Sequence, residues 1–145
     1  MTIRGSVIAL DPGVKRTGFA VVDPLRVTVE PLDVFHGPEA GEELLDHLDG
    51  LVSERTVEAL LVGLPLGPDG GDTERSRAVR ALCERLEARF VDLEVIPYDE
   101  RLTTKEAEAR LVEAGHTGSD RKARKDSWSA AVLLEDWIGS GEPRP

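Results

Sequence analysis

At 145 residues, with 40% hydrophobic and 32% charged side chains, the chain has the size and composition of one water-soluble domain with a sizeable core. No apolar run approaches the roughly 20 residues of a membrane span, and the stretch after Met1-Thr2-Ile3-Arg4 is too short for a signal peptide, so a cytoplasmic protein is expected. The lone Cys83 rules out an internal disulfide and reads as a buried thiol, while a formal net charge of −10 argues against broad, non-specific affinity for nucleic acid.

Val7 to Asp23 reads as a β-hairpin: an apolar run ends in Asp11, a turn containing Gly13 follows, and Thr17 to Val22 returns. Val27 to Phe35 reads as a third strand, interrupted by Pro31, and the three strands imply an antiparallel meander. Pro38 suits the first turn of a helix whose Leu44, Leu45, Leu48, Leu51 and Val52 share one face. Ala59 to Val62 is a short apolar run, as expected of a central strand covered on both sides, and the glycines and prolines of residues 63–71 predict a loop.

A helix follows from about Thr73 to Phe90, then a strand over Leu93 to Tyr98 that ends in Asp99-Glu100-Arg101. Thr103 and Glu106 form a capping box for the next helix, which ends near Gly115. Residues 116–123 read as a mobile loop, Arg124 to Ile138 as a final helix, and residues 139–145 as a disordered tail after a single domain over residues 1–138. The order βββαβαβαα predicts an α/β fold. Its mixed sheet has five strands, three antiparallel and then two parallel, with helices on both faces.

Ligands of open α/β sheets gather outside the carboxyl ends of parallel strands, which draws attention to Asp11 and to the pair Asp99 and Glu100. Adjacent strand residues face opposite ways, so one of that pair faces the same side as Asp11; the sequence leaves both open. Asp126 falls in helical phase with Ala130, Leu133 and Trp137, hence in line with the face that packs on the sheet, where a solvated acid is out of place. Three converging acids would repel one another unless a cation lay between them, and hard oxygen ligands select Mg²⁺ or Mn²⁺. That chemistry suits phosphodiester hydrolysis. His36, His47 and His116 have no ligand spacing, which argues against zinc.

Four blocks then resemble the RuvX/YqgF family, the Holliday-junction-resolvase-like branch of the RNase H fold. They are Ala9-Leu10-Asp11-Pro12-Gly13-Val14-Lys15-Arg16-Thr17-Gly18, Val62-Gly63-Leu64-Pro65-Leu66 with Asp69-Gly70, Asp99-Glu100-Arg101-Leu102-Thr103-Thr104, and Lys125-Asp126-Ser127 with Ala130-Ala131. The resemblance implies an endonuclease whose catalytic, metal-binding acids are Asp11, Glu100 and Asp126, so it selects Glu100 over Asp99. It also implies that Lys15, Arg16, Arg101, Lys122 and Lys125 contact phosphates. Departures from the family pattern are Ala123 in a loop poorer in lysine and the bulky Trp128.

The family is linked both to resolving four-way DNA junctions and to maturing the 5′ end of the 16S ribosomal RNA precursor, and its motifs do not separate the two. A resolvase would be a homodimer, because two symmetric nicks need two sites about a twofold axis. Recognition of shape and backbone is expected, since the few aromatics occupy patterned apolar positions. Two rival readings remain. Actin-like kinases also carry Asp-x-Gly in a hairpin, but they need two such domains around a nucleotide. A non-catalytic module that binds nucleic acid or the ribosome would suit the acidic charge.

Overall fold

The hairpin forms as expected in the computed structural model, which describes residues 4–116 and 125–145. Strand β1 (Ser6–Asp11) pairs antiparallel with β2 (Arg16–Val22), in a register that sets Asp11 opposite Gly18. The expected third strand is two short ones, β3 (Val29–Pro31) and β4 (Phe35–His36), each pairing with part of β2. Pro31 has no N–H to extend the ladder, and Val27 and Thr28 direct theirs to the Asp23 carboxylate instead, at 2.9 and 2.5 Å. The sheet therefore has six strands where five were expected.

Strand β5 (Val57–Leu64) lies parallel to β1, and β6 (Glu94–Asp99) lies parallel to β5, giving the order β3-β2-β1-β5-β6. Residues Gly63 and Leu64, expected in a loop, continue β5 because Tyr98 and Asp99 of β6 pair with them. Helices α1 (Glu42–Ser53) and α2 (Glu74–Arg89) cover one face, and α3 (Lys105–Glu113) and α4 (Lys125–Gly139) the other. Thr73 caps α2 in a reciprocal box with Ser76. The cap of α3 is Thr104 rather than Thr103, because a 3-10 turn over Glu100–Leu102 intervenes and Thr103 closes it by donating to the Glu100 carbonyl at 2.9 Å.

Alternation along the strands divides the core in two. Val7, Ala9, Ala20, Leu61, Ile96 and Tyr98 pack against Leu133, Leu134 and Trp137 of α4, whereas Ile8, Leu10, Phe19, Leu60 and Val62 meet α1 and α2. Each large side chain buried this way contributes about 1.5–3 kcal/mol, which fixes α4 to the sheet along its whole length. Cys83 is buried, as expected. Of residues 139–145, read from the sequence as a disordered tail, Gly139 closes α4; farther on, Trp137 Nε1 donates to the Pro143 carbonyl at 3.0 Å, and Arg144 pairs with Glu94 at 2.9 Å.

Candidate active site

Asp11 continues the parity of Val7 and Ala9, so it leaves β1 on the α4 side of the sheet. Across the register, Gly63 and Tyr98 occupy the same level and side, and Glu100 continues Ile96 and Tyr98. Asp99 takes the other direction: its carboxylate accepts the Arg101 N–H at 2.9 Å and the Arg101 guanidinium at 2.7 Å. The structure thus brings Glu100, and not Asp99, to Asp11. Gly63 makes room for it, since a Cβ there would stand 2.7 Å from Glu100 Oε1.

Asp126 reaches the same place from above. The first turn of α4 lies so close to β2 that a Cβ on Gly18 would come within 2.0 Å of the Asp126 carbonyl, and the buried Ser127 hydroxyl accepts the Phe19 N–H at 3.1 Å. Gly18 is the register partner of Asp11, so this seam sets the helix start directly over the end of β1. The Asp126 carboxylate itself pairs with Arg16, Nε to Oδ2 2.9 Å. Among the described residues, no three carboxylates, histidines or cysteines are placed to share a metal ion.

Burial is the main cause that pushes the Asp11 carboxyl up from its ordinary 3.8 to about 8; a hydrogen bond and negative charge from Glu100 add to it, as does the charge of Asp126. Arg75 acts against them. Its guanidinium holds the buried Glu39 carboxylate in two contacts, 2.6 and 2.8 Å, and donates to the Pro12 carbonyl at 3.3 Å, which ties α2 to the turn behind Asp11. Neither Glu39 nor Arg75 stood out in the sequence as part of a site.

A stability effect follows from the raised Asp11 value. Below about pH 4 the group is neutral whether the chain is folded or unfolded. Between about pH 4 and 8 the unfolded chain ionises while the native site keeps its proton, so native stability falls as pH rises through that window. Without divalent ion, the melting temperature should drop by several degrees between about pH 5 and pH 8.5, and the drop should be smaller in Asp11→Asn. Thermal melts at the two pH values check this.

Two clefts flank Asp11. One, of about 360 Å³, is lined by Asp11, Glu100, Thr103, Trp128, Val132 and Leu133, so a carboxylate floor meets an aromatic and aliphatic wall. The other, of about 410 Å³, runs between the β1–β2 turn and α4 past Lys15, Arg16 and Asp126. Of the expected phosphate contacts, Lys15 and Arg16 are exposed beside this second cleft. Arg101 is held by Asp99 and donates to the Pro68 carbonyl at 3.0 Å, so it braces the loop after β5. Lys122 and the side chain of Lys125 lie outside the described residues.

A family model described as "RuvX: Holliday junction resolvase" matches residues 5–140. A protein of Amoebophilus asiaticus named "Putative pre-16S rRNA nuclease" is 34% identical over 138 residues, covering 94% of this chain and 95% of its own. A protein of the same name from Dechloromonas aromatica is 38% identical over 136 residues, covering 94% and 92%. Among solved structures, Thermus thermophilus RuvC in complex with a Holliday junction substrate superposes with a TM-score of 0.60 over 97% of this chain and 98% of that one, at 16% identity. The fowlpox virus resolvase bound to Holliday junction DNA gives 0.56 at 10% identity, covering 93% and 97%. At such identities these two likenesses establish the RuvC-like, RNase H-like fold.

Proposed function

Because the chain belongs to the RuvX family, a family of nucleases, we propose that it is a divalent-metal-dependent endonuclease of structured nucleic acid, with Asp11, Glu100 and Asp126 as its catalytic acids. The observation that carries this is the meeting of Asp11 and Glu100 in a half-enclosed cleft with Asp126 over them, at an Asp11 carboxyl pushed up to about 8. So much negative charge in a poorly solvated place needs a cation or a proton. The donor set is hard oxygen throughout, which fits Mg²⁺ or Mn²⁺ and not zinc. When bound, such an ion supplies Lewis-acid stabilisation of the charge that builds on phosphate oxygens during hydrolysis.

The chain's own residues divide the remaining work. Asp11 at the end of β1 and Glu100 just past the end of β6, on either side of Gly63 in β5, form the floor; Asp126 closes the set from α4. Lys15 and Arg16 stand at the rim, where they meet substrate phosphates and hold the backbone across the acids. Trp128, Val132 and Leu133 form an apolar wall that keeps bulk water from one side of the reacting bond.

As substrate we favour the 16S ribosomal RNA precursor, because relatives at 34% and 38% identity, matched over nearly their whole length, carry that nuclease name. The description of the family model supports a second reading, the four-way DNA junction, for which the active form would be a dimer. Labelled precursor RNA, a four-way junction and plain duplex DNA, each incubated with Mg²⁺ or Mn²⁺, separate the two. Discrete cleavage of the precursor RNA alone is the expected result. Binding of all three without products under any divalent ion would instead make the chain a non-catalytic module.

A further inference from the structure

We propose that Arg16 holds the Asp126 carboxylate in the free protein, and that it exchanges this carboxylate for a substrate phosphate when a divalent ion enters. The inference rests on the nuclease reading above and adds an order of events to it. Asp126 is held off by Arg16 at 2.9 Å, and no three ligating side chains among the described residues stand ready for an ion. The backbones at both ends of the pair are fixed. Arg16 opens β2 in register with His36, and the start of α4 is pressed on Gly18 and bonded through Ser127 to Phe19. Only the two side chains can move, so an ion that draws negative charge from the Asp126 carboxylate weakens its hold on the guanidinium.

The released group is well placed. Arg16 is 60% exposed and lies on the same cleft as Lys15, Pro12 and Asp11, so its free guanidinium points into the channel that phosphates would enter. A planar guanidinium that loses a carboxylate finds its best replacement in a phosphate, which it binds through two parallel N–H···O bonds. An exposed arginine–carboxylate pair is weak enough to yield to a divalent ion, yet it competes with that ion at every encounter.

The test is Mn²⁺ binding to the full chain without nucleic acid, by calorimetry or from the loss of the free-ion paramagnetic resonance signal. Arg16→Met should bind Mn²⁺ roughly threefold or more tightly than the wild type, because the competing pair is gone. Lys15→Met, which removes an equal charge from the same cleft but breaks no ion pair among the described residues, should change the affinity less. With Ca²⁺ in place of Mn²⁺ to suppress cleavage, RNA affinity should rise on adding the ion in the wild type and rise less in Arg16→Met. If Arg16→Met, with an unchanged melting temperature, binds Mn²⁺ no more tightly than the wild type, the exchange is wrong while the metal site stands. If none of the three proteins binds Mn²⁺, the exchange and the metal-dependent nuclease reading fall together.

Discussion

Asp11→Asn and Glu100→Gln should each lower divalent-ion-dependent cleavage by about three orders of magnitude while leaving the fold intact, since the several kcal/mol a metal supplies to the transition state depend on both ligands being charged. The substitutions are nearly isosteric, and each relieves the crowding of carboxyl groups that must otherwise ionise or hold a proton in the cleft, so the metal-free variants should melt at or above the wild-type temperature. Asp99→Asn is the informative comparison. It sits one residue from Glu100 but faces away, holding Arg101 and through it the loop at Pro68. It should cost activity far less, about tenfold, through a loosened loop. Cleavage assays over a series of Mn²⁺ concentrations with melting curves on the same preparations check the set. Equal losses in Asp99→Asn and Glu100→Gln would remove Glu100 from the site.

The choice between Asp99 and Glu100 shows where the sequence stops. Parity says that the two face apart, but which of them shares a side with Asp11 depends on the register of β6 against β5 and of β5 against β1. No residue pattern states those registers, and only the likeness to a family decided the matter in advance. Asp126 was legible for a different reason: its phase with Ala130, Leu133 and Trp137 is local to one helix, and those three side chains are buried as that phase requires. The third strand failed where Pro31 removes an N–H and Asp23 collects two others, a competition between a turn and a ladder that alternation alone does not reveal. Arg75 and Glu39 were illegible because they meet across 36 residues, and an ion pair at that separation leaves no periodic trace.

Two glycines should fail in opposite ways when replaced by alanine. At Gly18 the new methyl group would lie 2.0 Å from the Asp126 carbonyl oxygen and 2.6 Å from the Ser127 nitrogen, both backbone, so the helix start must back away from β2. That movement strains the Ser127 contact to Phe19 and unseats the top of the α4 interface, for a cost of about 3 kcal/mol and a fall in melting temperature of roughly 10 °C. At Gly63 the nearest atom is Glu100 Oε1 at 2.7 Å, the free end of a side chain that can swing aside. Stability should then change by no more than about 1 kcal/mol, but the carboxylate is pushed from Asp11, and a displacement of about 1 Å in a reacting group costs about a hundredfold in rate. Gly18→Ala should therefore be unstable and Gly63→Ala stable but about a hundredfold slower, by melting curves and cleavage rates measured together. A Gly18→Ala protein that melts with the wild type would mean that α4 does not sit on β2 as closely as the site requires.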